Sequence, residues 1–190
     1  MKINFIWFNY FRPTWYFDNI NDINLNSIKK KGIKYVFCDL DNTLVPHFSR
    51  FPNKNCSLFI QKLHSLDFKV FIISNNHKKR VENFCSLLEV DDFIYNAKKP
   101  FIKKIEKLIK KHNIKIQDSI FIGDQFITDI LAANRLGAKS ILVLPLFDLS
   151  NTNIKNIIIF LIENLIYKNL TKNNNLNSDD SLLLEDYDFI

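Results

Sequence analysis

The sequence predicts an α/β domain built on a doubly wound parallel sheet. From residue 35 onward, short runs rich in β-branched and aromatic residues alternate with longer runs of helical periodicity, which is typical of βαβ units. Polar motifs follow four of the short runs, at the edge where open α/β sheets bind ligands. At 190 residues with 47% apolar content, the chain suits one such domain.

Strands and helices are expected to alternate along the chain. Apolar runs predict strands at residues 35–40, 69–74, 92–95, 119–122 and 140–144. Helical spacing predicts helices near residues 55–67, 78–89, 100–113, 128–136 and 153–168. In the third of these helices, Ile102, Ile105 and Ile109 recur at three- and four-residue spacing while lysines take the other face.

The two ends of the chain differ in composition from its middle. We expect residues 1–32 to form an aromatic extension, residues 33–170 the folded domain, and residues 171–190 a flexible acidic tail. The formal net charge of +6 lies in the body, because the tail sets Lys172 against five acids. A basic body favours anionic partners, although coding bias toward Lys, Asn and Ile also produces this composition.

The sequence carries no signal for a membrane span or a disulfide framework. The longest apolar stretch, residues 157–162, is far shorter than the ~20 residues of a spanning helix. The N-terminus lacks the cleavage site of a signal peptide. Cys38, Cys56 and Cys85 are odd in number and lack metal-site spacing. We therefore expect a cytoplasmic protein, either free or peripheral at a membrane.

Two acids mark the end of the first predicted strand. Asp39 and Asp41 lie where a buried run passes into a loop, and both side chains alternate to the same side of an extended chain. Uncompensated carboxylates at such a place are costly. The pair therefore indicates a site for a metal ion or a phosphoryl group.

Three more motifs follow later strands. Ser74 and Asn75 end the second strand, Lys99 stands before a proline, and Asp124 follows a glycine with Asp129 five residues beyond. Each motif alone also fits a loop or a helix cap. Their order and their common edge of the sheet predict one site.

Taken together, the four motifs resemble those of the haloacid dehalogenase superfamily of aspartate-nucleophile phosphatases. The resemblance spans about residues 33–145. The runs Gly32-Ile33-Lys34, Asp39-Leu40-Asp41-Asn42-Thr43-Leu44-Val45, Lys99-Pro100, Gly123-Asp124-Gln125 and Thr128-Asp129 are similar to the YqeG-like branch, subfamily IIIA. That branch includes phosphatidylglycerophosphate phosphatases. The resemblance implies a Rossmann-like core.

It also implies chemical roles for the motif residues. Asp39 would be the nucleophile that forms an aspartyl-phosphate, and Asp41 would act as general acid and then general base. Asp39, Asp124 and the main-chain carbonyl of Asp41 would hold Mg²⁺, which prefers hard oxygen ligands. Lys99 would offset the negative charge of Asp39 and the phosphate.

Other assignments leave alternatives open. Ser74, Asn75 and Thr43 are expected at the phosphoryl group, with Thr43 also suited to tying down its loop. Asp129 would support Lys99 or the metal waters, or only complement a helix dipole. Lys98 is the alternative to Lys99. Lone histidines are more often surface residues, so a substrate role for His47 or His77 is the lesser alternative.

The spacing of the motifs predicts a site without a cap domain. The gaps from Asp41 to Ser74 and from Ser74 to Lys99 each hold little more than one helix. An open site suits a phosphate displayed on something large, and we expect the phospholipid head group of phosphatidylglycerophosphate. The alternatives are a soluble phosphometabolite, a phosphoprotein, a nucleic-acid end, or a binding protein without turnover. Nucleic acid is not the partner we expect.

The aromatic N-terminus has two interpretations. Its side chains could rest at the interface of an anionic membrane, or they could form an edge element packed on the sheet. The residues concerned are Trp7, Phe8, Tyr10, Phe11, Trp15 and Tyr16.

Overall fold

A computed structural model describes residues 10–146 and 154–172 of the chain. Its centre is a parallel six-stranded sheet in the order β1-β6-β5-β2-β3-β4. The strands are β1 (Trp15–Phe17), β2 (Tyr35–Cys38), β3 (Lys69–Ile73), β4 (Asp92–Ile94), β5 (Ser119–Gly123) and β6 (Lys139–Val143). The chain runs outward from β2 to β4 and returns to the other side of β2 at β5. This reversal places the topological switch point of the sheet beside β2.

Helices cover both faces of the sheet, as the sequence predicts. They are α1 (Leu25–Lys30), α2 (Lys54–Ser65), α3 (Lys78–Cys85), α4 (Lys103–Lys111), α5 (Leu131–Leu136) and α6 (Ile154–Lys172). Side chains of α1, α2 and α3 share one apolar cluster with the sheet, and those of α4 and α5 share a second. In the second cluster Phe37 of β2 stacks between Phe71 and Phe121, at centroid distances of 5.2 and 4.5 Å. The predicted doubly wound α/β fold is confirmed.

The N-terminal extension contributes the edge strand β1 and the helix α1, whose bounds the sequence analysis did not give. Trp15–Phe17 pairs in parallel with β6, and Thr14 exchanges hydrogen bonds with Ser140 beside this pairing. Three residues are too few to show strand periodicity. Trp15 and Phe17 are buried, so they form an edge element of the sheet and share its core with Ile28 of α1. Trp7 and Phe8 lie outside the described residues.

Several helix bounds differ from the prediction for local reasons. The segment predicted as helix 128–136 begins as a π-helical turn, Phe126–Ile130, because Asp129 and Ile130 both donate their N–H groups to the Gln125 carbonyl. The helix predicted from residue 100 begins at Lys103, after a turn in which Phe101 donates to the carbonyl of Lys98. The last helix ends at Lys172, two residues into the predicted tail. Residues 173–190, including the rest of that tail, lie outside the described part of the chain.

The connections around the switch point are short. Residues 39–68, between β2 and β3, contain only α2 and its loops, and residues 74–91 contain only α3 and its loops. The prediction of a core without a cap domain is thereby confirmed. Among the described helices, none is both long and apolar enough to cross a bilayer.

Candidate active site

Asp39 and Asp124 meet where the neighbouring strands β2 and β5 end. Cys38 pairs with Ile122 in the ladder, and the N–H of Asp39 donates to the Ile122 carbonyl at 2.9 Å. Parallel strands deliver their carboxyl ends to one edge, so the two carboxylates emerge side by side. One carboxylate oxygen from each of Asp39, Asp124 and Asp129 lies within 4.8 Å of the other two. The switch point of the sheet therefore carries a cluster of three acids.

Lys99 lies between two of these acids. Its Nζ donates to Asp39 Oδ1 and to Asp129 Oδ1, each at 2.6 Å. Burial acts to lower the pKa of Lys99, but Asp129 and Asp39 together outweigh it and raise that pKa above its ordinary value. The lysine is therefore a permanent ammonium in the site. Lys98 is exposed, so Lys99 is the lysine that contacts Asp39.

The position of Asp129 depends on its neighbours in the π-helical turn. Its Oδ2 accepts hydrogen bonds from the N–H of Gln125 at 3.1 Å and the hydroxyl of Thr128 at 3.3 Å. Gly123 passes directly beneath it, and a Cβ at Gly123 would collide with the Cβ and the carboxyl carbon of Asp129. The glycine before Asp124 is thus required by a close approach and not by its backbone angles.

Asp124 has one satisfied oxygen and one that lacks a partner. Thr43 donates its hydroxyl to Oδ1 at 2.9 Å, whereas Oδ2 is buried without a hydrogen bond among the described residues. Burial, followed by the charges of Asp129 and Asp39, raises the pKa of Asp124 well above its ordinary value. Burial likewise raises the pKa of Asp39 to about 7, although Lys99 acts against the shift.

These features fit a hard divalent cation. A buried, unpartnered carboxylate oxygen next to two further acids is costly unless a cation neutralises it. Mg²⁺ takes oxygen ligands and is commonly bound through one or two carboxylates. Asp39 and Asp124 offer such ligands, with Asp129 within reach of the same position. The residues present therefore suit a magnesium ion.

Asp41 belongs to a second cluster of contacts, with residues that follow β3. Arg80 donates from Nε to Asp41 Oδ1 at 2.7 Å, and its Nη2 contacts the same oxygen. Asn76 donates from Nδ2 to Asp41 Oδ2 at 3.0 Å. Both Asp41 oxygens are therefore held by residues that follow β3. The structure brings Asp41 close to Asp39 but does not place its side chain among the three clustered acids.

Ser74 and Asn75 shape the loops around these clusters. Ser74 is buried, and its Oγ accepts the N–H of Asn76 at 3.0 Å. Asn75 accepts the N–H of Lys99 at 2.7 Å and donates to the Lys99 carbonyl at 3.1 Å. The amide of Asn75 thus fixes the backbone from which Lys99 reaches Asp39.

The two histidines considered in the sequence lie at the surface. His77 is the N-cap of α3 and accepts the N–H of Arg80 at 3.2 Å through Nδ1. His47 is exposed and contacts the ring of Phe48 edge-on. Among the described residues, neither histidine is recorded in contact with the acids of the site.

Comparisons with known proteins agree with this geometry. The sequence profile of haloacid dehalogenase-like hydrolases matches residues 47–143. The chain is 37% identical over 138 residues to the probable phosphatase YqeG of Bacillus subtilis, covering 72% of this chain and 78% of that protein. This chain belongs to the haloacid dehalogenase-like hydrolases.

Two more distant likenesses were found for this haloacid dehalogenase-like hydrolase. A glyceraldehyde 3-phosphate phosphatase of Pyrococcus abyssi is 27% identical over 88 residues, which cover 42% of this chain and 37% of that protein. The crystal structure of a hypothetical protein from Xanthomonas campestris superposes with a TM-score of 0.50 at 14% identity, covering 67% of this chain and 72% of that one. The second likeness concerns the fold alone.

Three residues of this hydrolase contact the site region but were missed in the sequence. Arg80 and Asn76 bind Asp41, and Glu163 of α6 accepts the N–H groups of Phe126 at 2.8 Å and Ile127 at 2.9 Å, both in the loop between Asp124 and Asp129. Burial raises the pKa of Glu163 to about 7. None of the three stands in a motif, and each is far from its partner along the chain. The available signal was position alone. Asn76 and Arg80 follow the second predicted strand, and Glu163 lies in the last predicted helix.

Proposed function

We propose that this protein is a Mg²⁺-dependent phosphomonoesterase that converts phosphatidylglycerophosphate to phosphatidylglycerol, using Asp39 as nucleophile. Family membership and the YqeG relative support phosphatase activity. The observation that carries the chemistry is Lys99, whose ammonium joins Asp39 and Asp129 beside the unpartnered oxygen of Asp124. This arrangement places the Lys99 ammonium and a group of acidic residues suited to a metal ion next to the carboxylate of Asp39.

In the first step an oxygen of Asp39 forms a bond to phosphorus while the ester P–O bond breaks. Asp41 gives its proton to the leaving alkoxide. In the second step the Asp41 carboxylate takes a proton from water, whose oxygen attacks phosphorus and releases inorganic phosphate and free Asp39. Lys99 offsets charge on Asp39 in both steps. A bound Mg²⁺ would neutralise charge on the phosphoryl oxygens.

The lipid substrate is supported by three features. The connections that follow β2 and β3 contain no domain that would enclose a small substrate. The motif set resembles the branch that includes phosphatidylglycerophosphate phosphatases. The body of the chain is basic, and basic residues near an anionic leaflet are attracted to it. We place the reaction at the cytoplasmic face of a membrane.

A soluble phosphometabolite is the second candidate substrate, because the Pyrococcus abyssi relative bears the name of a glyceraldehyde 3-phosphate phosphatase. A binding protein without turnover is the weaker alternative. Three clustered acids lower the stability of the fold, because buried charges cost free energy. A protein that only bound its partner would have no need of such a cluster.

Phosphate release from two kinds of ester separates these candidates. Phosphatidylglycerophosphate in neutral detergent micelles and glyceraldehyde 3-phosphate in solution should be compared at matched concentration with Mg²⁺, with Asp39→Asn as the blank. We expect the lipid to have the higher kcat/KM. A higher value for the soluble ester would overturn the lipid assignment, and no release from either ester would overturn both substrate assignments.

A further inference from the structure

Three phenylalanine side chains project into solvent from loops near the site. Phe48 is 58% exposed, Phe51 68% and Phe101 69%. A single exposed apolar side chain is ordinary in a protein surface, but large aromatic side chains grouped around one site are not. We refer to Phe48, Phe51 and Phe101 as the rim aromatics.

The rim aromatics occupy loops that also hold site residues. Phe48 and Phe51 flank Ser49, whose carbonyl accepts a hydrogen bond from Arg80 Nη1 at 2.7 Å, and Arg80 in turn binds Asp41. Phe101 lies two residues after Lys99, in the turn closed by its N–H to the Lys98 carbonyl at 2.8 Å. These loops follow β2 and β4 and therefore belong to the carboxyl edge of the sheet. The rim aromatics therefore belong to the same edge of the sheet as the acids of the site.

The loop segments that carry the rim aromatics contain basic residues and no acid. Residues 42–55, 75–81 and 95–105 contain no acid. Arg50, Lys98 and Lys103 are exposed there, and none of the three makes an ion pair within the described part of the chain. We refer to these three as the rim bases.

The opposite edge of the sheet is charged differently. There two lysines are paired with acids, Lys34 with Asp118 and Lys69 with Asp91. The rim bases have no such acidic partners among the described residues. An apolar and basic surface with no acid complements a surface that offers hydrocarbon beneath a layer of negative charge.

We propose that the rim aromatics and rim bases form the surface that docks this protein on an anionic phospholipid bilayer. The phenyl rings enter the boundary between head groups and acyl chains, while Arg50, Lys98 and Lys103 face lipid phosphates. This orientation turns the edge of the sheet that carries Asp39 toward a phosphomonoester that projects from the leaflet. The inference deepens the proposed function and rests on its lipid substrate. Of the N-terminal aromatics that the sequence offered for a membrane contact, Trp15 is buried and Tyr10 is exposed. This inference assigns the membrane contact to the loops of the site instead.

Vesicle co-sedimentation tests the docking surface. The full chain is mixed with vesicles of phosphatidylcholine alone or with phosphatidylglycerol added, at low and at high salt. We expect binding to the anionic vesicles only, falling with salt because screening shortens the reach of the rim bases. The triple variant Phe48→Ala, Phe51→Ala, Phe101→Ala should lose about tenfold or more in partitioning. Leu87→Ala is the control, since Leu87 is 58% exposed and lies in the connection from the end of α3 to the start of β4.

The outcomes separate this inference from the proposed function. The triple variant should keep a native melting temperature, which shows that its loss of vesicle binding is not a loss of fold. Equal vesicle binding by native protein and triple variant overturns the docking surface, whatever the micellar activity. If the native protein is a dimer and the triple variant is not, the surface contacts a second copy of the chain and the membrane proposal is overturned. If the native protein binds an RNA oligonucleotide and not vesicles, the surface binds nucleic acid and the membrane proposal is likewise overturned. Vesicle binding as expected without hydrolysis of micellar lipid supports docking and overturns the proposed function.

Discussion

Arg80 joins Asp41 to the helix that follows the neighbouring strand. Its Nε and Nη2 both contact Asp41 Oδ1, its Nη1 donates to the Ser49 carbonyl, and its guanidinium lies 4.8 Å from the ring centroid of Phe84. One side chain therefore fixes the loop after β2 from two points and orients the carboxylate of Asp41. Lysine has a single nitrogen and cannot reproduce this fork.

The Arg80→Ala substitution should lower kcat about a hundredfold, because a displacement of about 1 Å in a catalytic group has an effect of that size. KM should change much less if Arg80 acts on Asp41 and not on substrate. Steady-state kinetics with the best phosphomonoester measures both quantities. Lys79→Ala, an exposed neighbour on the same helical turn, is the control and should leave kcat unchanged. An Arg80→Ala enzyme with native kcat would show that Asp41 needs no such support.

The Asp39→Asn substitution should abolish turnover and the covalent intermediate while the fold survives, because the two side chains are nearly equal in size. Acid quenching with ³²P-labelled substrate should trap phosphate on the native protein and none on the variant. Circular dichroism would verify the fold. Labelled variant protein would exclude Asp39 as the nucleophile.

Removing the charge of Asp124 should stabilise the metal-free protein. Because burial raises its pKa, the folded chain disfavours the ionised carboxylate, and stability falls as pH rises above the unfolded pKa. In chelator near pH 8, Asp124→Asn should therefore melt higher than native protein. Added Mg²⁺ should raise the melting temperature of native protein only. A native melting temperature that ignores Mg²⁺ would contradict the metal site.

Activity should require Mg²⁺ and be suppressed by Ca²⁺, which accepts more ligands in a looser geometry and would also draw the attacking oxygen of Asp39 into coordination. Phosphate release in chelator, in Mg²⁺ and in mixed ions measures the effect. Full activity in chelator would exclude metal assistance.

Gly123→Ala should impair the site more than it impairs the fold. The added methyl group would collide with Asp129 and displace the carboxylate that holds Lys99, at a cost of about 1–3 kcal/mol in stability. The matched control is Gly137→Ala, at the left-handed C-cap of α5, where strain costs about 1 kcal/mol or more without a contact to the site. Urea denaturation and kcat should be compared. Similar losses of kcat in both variants would refute the positioning role.

Glu163 should make stability depend on pH between about 4.5 and about 7, the ordinary and folded pKa values of its carboxyl. In that interval the folded state holds more protons than the unfolded one, so the free energy of unfolding falls with rising pH, by at most about 1.4 kcal/mol per pH unit. Glu163→Gln should flatten this slope, as measured by urea denaturation at several pH values. Exposed Glu106→Gln is the control. Identical slopes for native protein and Glu163→Gln would contradict the prediction.

The order of elements from β2 to β6 could be predicted from the sequence because it depends on local periodicity. The strands β2, β3, β5 and β6 each contain an apolar run of three or more residues, and α4 shows its buried stripe at helical spacing. The motif acids and Lys99 could also be located, because parallel strands end at a common edge whatever their order. Asp129 remained ambiguous, since a first-turn acid is common in any helix.

The short strand β1, the π-helical turn and the partners of Asp41 were decided by tertiary structure. Trp15–Phe17 becomes a strand only because β6 offers an unpaired edge, and a three-residue run has no periodicity of its own. Arg80 and Asn76 meet Asp41 because β2 and β3 are neighbours, a contact that no spacing along the chain encodes. By itself the sequence determined which residue types are available for the chemistry and that they lie at the carboxyl edge of the sheet. The packing of strands from distant parts of the chain determined which of those residues touch.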